Sequence, residues 1–180
     1  MSAYGTLGTL FYDADKPRAG EAEVAWYAAR LPRGAGPVLE AMAGSGRLLV
    51  PLLEAGFEVH GVDSSEAMLA NCEKRIAICG RATQLYRQNV TTLNLPTRYA
   101  AAFIAAGSFQ LLAAPIAALD ALLRIRAHLI GPGLLLLDLF VPAEADHPPG
   151  APIVEVRTVT AGEGVQIGRA SCRERVFRTV

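Results

Sequence analysis

The sequence predicts an α/β fold, a doubly wound and mostly parallel sheet with helices on both of its faces. Short apolar runs alternate with helical segments along residues 38–140, which is the pattern of successive βα units. The run at 101–106 is almost wholly apolar, as expected of a parallel strand covered on both sides. A turn of small residues at 43–46 joins a strand to a helix, and ligands bind at such connections in open α/β sheets.

The residues before the sheet read as an N-terminal cap at about 1–33. Residues 4–13 form an aromatic lead-in that is punctuated by glycines. The segment 21–31 has apolar residues at helical spacing, and Pro32 follows and ends it. One helix is therefore expected ahead of the first strand.

Residues 37–66 carry the clearest pattern. They read as a strand, a small-residue turn, a helix and a second strand, at residues 38–41, 43–46, 47–55 and 57–62. Gly44 and Gly46 let the backbone approach a ligand closely, and the helix start adds free N–H groups and a positive dipole end. Asp63 follows the second strand, where an acid can accept hydrogen bonds from both hydroxyls of a ribose. This segment predicts a nucleoside site.

The remaining elements continue the alternation. Pro51 lies in the helix after the turn and removes one backbone hydrogen bond, so we expect a kink or a late helix start. Ser64 or Ser65 can cap the next helix, which buries Met68 and its neighbours at helical spacing. Parallel strands are expected at 83–88, 101–106 and 134–140, a helix at 116–128, and an antiparallel strand at 153–160.

The spacing of the glycines separates two classes of nucleotide cofactor. A dinucleotide fingerprint is G-x-G-x-x-G, and its third glycine would fall on Leu49. This disfavours an NAD(P)-type oxidoreductase, which stays as an alternative. The residues instead resemble motif I of the class I S-adenosylmethionine-dependent methyltransferases of the bacterial small-molecule type. In that family an acid leads a Gly-x-Gly-x-Gly turn, as Glu40 leads Gly44 and Gly46 here. Met42 stands in place of the first glycine.

The resemblance implies S-adenosylmethionine as the cofactor and a Rossmann-like sheet. It implies that Glu40 lies near the methionine end of the cofactor and that Asp63 holds the ribose, with Gly44 and Gly46 at the turn. The departure at Met42 requires that this side chain point away from the ligand.

Further positions are assigned by the same resemblance. Ser64 and Met68 correspond to residues that line the adenine pocket, although a structural Met is the alternative for Met68. Asn89 stands where relatives usually carry Asp, and its side-chain carbonyl can accept the adenine amino proton. Val90 follows the predicted third strand and Ala106 ends the predicted fourth strand, and cofactor contacts are expected at both places.

Tyr12 is the candidate lid residue of the cap. A Tyr-Asp pair closes over the cofactor in methyltransferases that resemble this chain, and Tyr12 is followed by Asp13. The alternative is that these aromatic residues pack against the edge of the sheet.

The last residues differ in character from the rest. Residues 167–176 resemble a one-frame translation of a common sequencing-adapter oligonucleotide. We therefore predict a methyltransferase domain at residues 1–166, in a truncated chain, and a non-native tail at 167–180. The alternative is an ordinary amphipathic strand.

Composition limits the setting. The formal net charge is zero and no basic run occurs, so neither nucleic acid nor a membrane surface is expected as a partner. Residues 1–17 lack an export signal, and polar residues interrupt the apolar stretch at 100–123. The cysteines have no CxxC spacing and no partnered His, so we expect no metal site and reduced thiols in a cytoplasmic protein.

The predicted function is methyl transfer from S-adenosylmethionine to a small-molecule acceptor. No His–acid or Cys–His pair stands near the predicted site, so no catalytic residue is identified. Besides the oxidoreductase, the alternative is a non-catalytic or truncated cofactor-binding fragment.

Overall fold

A five-stranded parallel sheet forms the centre of the molecule. The structure, a computed structural model, describes residues 5–140, 153–161 and 165–173. The strands are β1 (Val38–Ala41), β2 (Val59–Asp63), β3 (Leu85–Arg87), β4 (Tyr99–Ile104) and β5 (Leu129–Leu137). Their order is β3-β2-β1-β4-β5, and every pair is parallel. The chain moves outward from β1 in one direction and then crosses to β4, so the doubly wound prediction is confirmed, with the switch point between β1 and β4.

Five helices accompany this sheet in the described part of the chain. They are α1 (Thr6–Asp15), α2 (Glu21–Ala28), α3 (Leu49–Glu54), α4 (Glu66–Ile78) and α5 (Pro115–His128). Two short 3₁₀ turns follow β3 and β4, at Val90–Thr92 and Ser108–Leu111.

The lead-in at 4–13 was not predicted to be helical, yet residues from Thr6 onward form α1. Its glycines and aromatic residues are weak helix formers. The helix is stabilised instead by tertiary packing, since Phe11 is buried.

The core consists of two apolar layers, one on each face of the sheet. Successive residues of β1 enter different layers: Val38 packs with Leu49 and Phe103, whereas Leu39 packs with Tyr99 and Ile125. All are essentially inaccessible to solvent. This burial on both faces is the reason why the strands read as continuous apolar runs.

Two details of the predicted helices are confirmed. α3 begins at Leu49 rather than at residue 47, which places Pro51 in the first turn, where the missing N–H has no intrahelical partner to lose. Ser65 caps α4, because its Oγ accepts a hydrogen bond from the Met68 N–H at 3.3 Å.

The last described strands form a separate sheet. β6 (Ile153–Ala161) pairs antiparallel with β7 (Val165–Arg173). The strand predicted at 153–160 is therefore present and antiparallel. The predicted boundary after residue 166 falls inside β7, and residues 174–180 lie outside the described part. The foreign origin of 167–180 stays a prediction.

In the described ranges no helix is long and apolar enough to cross a membrane.

Candidate functional site

A cavity of about 370 Å³ opens at the carboxyl ends of the central strands. The turn after β1, the end of β2, and the loops after β3 and β4 all contribute to its wall, as the switch point predicts. Nine of the ten predicted site residues line it, namely Tyr12, Glu40, Gly44, Asp63, Ser64, Met68, Asn89, Val90 and Ala106.

Asp63 links β2 to the glycine turn. Its Oδ2 accepts a hydrogen bond from the Gly44 N–H at 2.8 Å, and its Oδ1 accepts one from the Ser65 N–H at 2.8 Å. Burial raises the pKa of the Asp63 carboxyl, although the N–H groups of Ser65 and Gly44 act in the opposite direction. The Ser64 N–H is a third backbone donor to this carboxylate, and a carboxylate has about four acceptor sites, so Asp63 can still accept a hydrogen bond from a ligand hydroxyl.

Gly46 does not line the cavity. Its φ is +79°, and a Cβ at this position would lie 2.6 Å from Cys72 Sγ and 3.3 Å from Val50 Cγ2. A side chain would therefore collide with α4. The structure thus gives Gly46 a packing role behind the turn and not a lining position.

Two residues with side chains adopt the left-handed backbone region at the cavity. They are Met42 (φ 59°) and Ala106 (φ 54°), a conformation that costs non-glycine residues roughly 1–2 kcal/mol. Met42 lines the cavity, and its side chain also packs against the layer that contains Leu39 and Val62. The expectation that this side chain points away from the ligand stays a prediction. Strain of this kind concentrates at ligand sites.

Glu40 is the buried acid of the site. It is 4% exposed, and its Oε2 is the one buried side-chain oxygen or nitrogen without a hydrogen-bond partner in the described residues. Burial raises the pKa of the Glu40 carboxyl to about 8, and the nearby Arg47 lowers that pKa only in part. A buried oxygen that lacks a partner at a cavity wall fits a ligand that brings a hydrogen-bond donor or a positive charge.

Arg47 also lines the cavity, and sequence reasoning missed it. Its guanidinium makes a two-point ion pair with Glu23 of α2, with Nη1 at 2.8 Å from Oε2 and Nη2 bonded to Oε1. Its position next to Gly46 could have indicated that Arg47 lies near the site. Its pairing with Glu23 could not have been predicted, because the two residues belong to elements that are distant in sequence.

Asp13 docks α1 onto the site and was likewise missed. Its Oδ1 accepts a hydrogen bond from the Ser45 Oγ and lies 3.0 Å from Nη2 of Arg75, while its Oδ2 accepts one from Asn71 Nδ2 at 2.8 Å. The preceding Tyr12 is thereby held at the cavity wall. The lid role of Tyr12 stays a prediction.

Asn89 is oriented differently from the prediction. Its Oδ1 accepts hydrogen bonds from the Thr91 N–H at 2.9 Å and from the Thr91 Oγ1 at 3.0 Å, because Asn89 caps the 3₁₀ turn at Val90–Thr92. The side-chain carbonyl that was expected to meet the adenine amino group is already engaged. The amide NH₂ is the group that the cap leaves for a ligand.

The described part of the chain contains no cluster of side chains that could bind a metal ion. No group of three or more His, Cys, Asp or Glu side chains lies close enough there to hold an ion.

Comparison with known proteins agrees with this geometry. A family described as "Methyltransferase domain" matches residues 38–132, more than half of the chain. A protein from Geobacillus sp. (strain WCH70) that is named as a methyltransferase is 31% identical over 115 residues. That match covers 64% of this chain and 47% of the relative, so the chain spans about half of the relative's length.

Solved structures share the fold. The glycopeptide N-methyltransferase MtfA in complex with S-adenosylmethionine is 26% identical, with a TM-score of 0.64, and the match covers 87% of this chain and 68% of MtfA. The CcbJ methyltransferase from Streptomyces caelestis is 27% identical, with a TM-score of 0.72, and covers 95% and 71% of the two chains.

The sheet order, the glycine turn held by an acid from the next strand, and the match over residues 38–132 agree. This chain belongs to the methyltransferase domain family and has the class I fold.

Proposed function

We propose that the protein binds S-adenosylmethionine in the 370 Å³ cavity and transfers its methyl group to a small-molecule acceptor. The observation that carries the proposal is the pair of acids on one cavity wall. Asp63 ends β2, is bonded to the glycine turn, and can accept a hydrogen bond from a ribose hydroxyl. Glu40 has a buried oxygen without a hydrogen-bond partner. A cofactor that has a ribose, and an ammonium group on its amino-acid end, has groups for both. The solved complexes of MtfA with S-adenosylmethionine, sinefungin and S-adenosylhomocysteine support the same assignment.

The residues around these acids divide the cavity into two ends. In the proposal Ser64, Met68 and Val90 surround the adenine, and the Asn89 amide NH₂ faces a ring nitrogen. Glu40 lies at the methionine end of the cofactor. Tyr12, Arg47 and Ala106, which also line the cavity, form the rest of the wall at that end.

The chemistry requires alignment more than proton transfer. When bound, the cofactor supplies an electrophilic methyl group on a sulfonium. The protein's task is to hold the acceptor atom in line with the departing sulfur and to keep water out, because water stabilises the charged reactant more than the charge-dispersed transition state. An amine or thiolate acceptor needs no general base. We therefore assign no catalytic residue, and we propose a nitrogen acceptor, the class named for MtfA.

The structure offers no support for the oxidoreductase alternative. Leu49 stands at the third glycine position and is fully buried in the core, so the close helix–strand approach that this glycine allows is replaced by side-chain packing.

The proposed setting is the cytoplasm, with neither nucleic acid nor membrane as a partner. The balanced charge of the chain and the free thiols of Cys72 and Cys79 support it. We also propose that the domain ends near residue 166 and that 167–180 are foreign, which sequencing of the source gene through this point tests directly.

Titration calorimetry with S-adenosylhomocysteine, NAD and NADP side by side tests the function. We expect saturable binding of S-adenosylhomocysteine alone, and transfer of a labelled methyl group to a member of a panel of amine, hydroxyl and thiol acceptors. Binding of NAD or NADP without S-adenosylhomocysteine would reject the proposal.

A further inference from the structure

The segment that follows β5 is bonded to the loop that follows β4. The Asp138 N–H donates a hydrogen bond to the Ile104 carbonyl at 3.0 Å, which continues the ladder between the two strands. The Asp138 carboxylate then turns towards the loop, where its Oδ2 accepts a hydrogen bond from the Ala106 N–H at 3.0 Å. Ala106 lines the cavity, whereas Asp138 lies behind it.

A second contact lies next to the first. The Gln110 side chain pairs with the backbone of Phe140 in both directions, accepting from its N–H at 2.8 Å and donating to its carbonyl at 3.1 Å. The Phe140 ring covers Gly107, where a Cβ would lie 2.3 Å from Cδ2 of the ring. The loop is thus held at both of its ends by residues that follow β5.

The Asp138 contact repeats the arrangement on the opposite side of the cavity. Asp63 ends β2 and accepts from Gly44, in the turn after the neighbouring β1. Asp138 follows β5 and accepts from Ala106, in the turn after the neighbouring β4. Gly44 and Ala106 both have left-handed φ angles, 57° and 54°. A glycine adopts this conformation freely, but an alanine needs a contact that stabilises it.

We infer that Asp138 is a positioning residue of the cavity, which holds Ala106 in its left-handed conformation and so fixes the wall after β4 for the ligand. The inference rests on the proposed cofactor binding. Without the carboxylate, Ala106 is free to relax to a negative φ, which reorients its peptide and moves the wall. The role is separate from substrate chemistry, since Asp138 reaches the ligand only through Ala106.

The test compares variants by titration calorimetry with S-adenosylhomocysteine. We expect Asp138→Ala to weaken binding about tenfold or more, the lower end of the effect of losing a hydrogen bond to a charged group. Asp138→Asn keeps an acceptor oxygen for the same N–H and should bind within about twofold of the unaltered protein. Asp120→Ala, which removes an exposed carboxylate from α5, is the matched control and should bind normally.

A double-mutant cycle separates positioning from general stability. Glycine adopts a left-handed φ without help, so in an Ala106→Gly background the Asp138→Ala change should cost at most about twofold in affinity. The melting temperature of each unliganded variant is recorded in parallel, because a merely structural role would lower it equally in both backgrounds.

Two results would overturn the inference: normal affinity in Asp138→Ala, or an undiminished loss in the Ala106→Gly background. If Asp138→Ala does not fold, recovery of folding by Ala106→Gly supports the inference and lack of recovery counts against it. Absence of S-adenosylhomocysteine binding by the unaltered protein would instead reject the proposed function.

Discussion

The Gly44 N–H and the Asp63 Oδ2 are 2.8 Å apart, so the glycine turn after β1 is fastened by the acid that ends β2. The same carboxylate is the proposed ribose ligand. If the proposed function holds, one side chain both shapes the turn and contacts the ligand, and its removal should affect both.

Asp63→Ala is expected to weaken S-adenosylhomocysteine binding about ten- to a hundredfold, the equivalent of roughly 1.5–3 kcal/mol for hydrogen bonds to a charged group. Asp63→Asn should lose nearly as much. Its NH₂ group would face either the Gly44 N–H or the Ser65 N–H, where only an acceptor fits. Calorimetry on both variants checks this, with Asp120→Asn as the control. Unchanged affinity in Asp63→Ala would remove Asp63 from the site.

Glu40 gives the unliganded protein a pH-dependent stability. Burial raises its pKa from 4.5 to about 8, so between these values the folded state binds more protons than the unfolded state. The free energy of unfolding should therefore fall as pH rises from about 4.5 to about 8 and level off above. Denaturant unfolding of Glu40→Gln across pH 5–9 should lack this component. If the free energy of unfolding changes with pH in the same way in both proteins, Glu40 is already ionised in the unliganded protein and the prediction is wrong.

Binding of a ligand that brings an ammonium group next to Glu40 should release a proton from its carboxyl. A positive group beside the carboxylate favours its ionised form, and the pKa of about 8 leaves the acid largely protonated at pH 7. The enthalpy of S-adenosylhomocysteine binding at pH 7 is then expected to vary with the ionisation enthalpy of the buffer. Glu40→Gln should show a smaller dependence. Equal buffer dependence in both proteins would assign the proton to another group.

Met42 tests the strain at the turn. Its φ of 59° suits glycine, so Met42→Gly loses a partly buried side chain but relieves roughly 1 kcal/mol of backbone strain. Met42→Ala loses the side chain and keeps the strain. We expect Met42→Gly to be the more stable of the two by about 1 kcal/mol in chemical denaturation. The opposite order would mean that the turn relaxes when the side chain is shortened.

The sheet and the cavity were predictable because they depend on local patterns. Asp63 and Ala106 could be assigned to one site without coordinates, since the carboxyl ends of neighbouring parallel strands meet at one edge of the sheet. The continuous apolar runs required burial on both faces, which Val38 and Leu39 confirm by entering opposite layers.

The parts that escaped prediction depend on distant contacts. The Arg47 pairing with Glu23 and the docking of Asp13 on Asn71 join elements whose approach is decided only by packing. α1 forms although Gly8 within it disfavours a helix. Asn89 was expected to offer its carbonyl to the ligand, but a turn-capping contact with Thr91 takes that oxygen first. The residue type at position 89 does not show whether its side chain will bond to a neighbouring residue or to a ligand.

The docking of α1 has a kinetic consequence. Asp13 is bonded to Ser45, Asn71 and Arg75 together, so α1 is fastened beside the cavity wall that includes Tyr12. We expect both reactants to pass instead beside Ser108 and the exposed Leu111, which belong to the loop after β4. An acceptor seated there blocks the way in and out. Turnover should accordingly follow a compulsory order, with S-adenosylmethionine binding first and S-adenosylhomocysteine leaving last, and initial-rate product inhibition by S-adenosylhomocysteine should be competitive against S-adenosylmethionine.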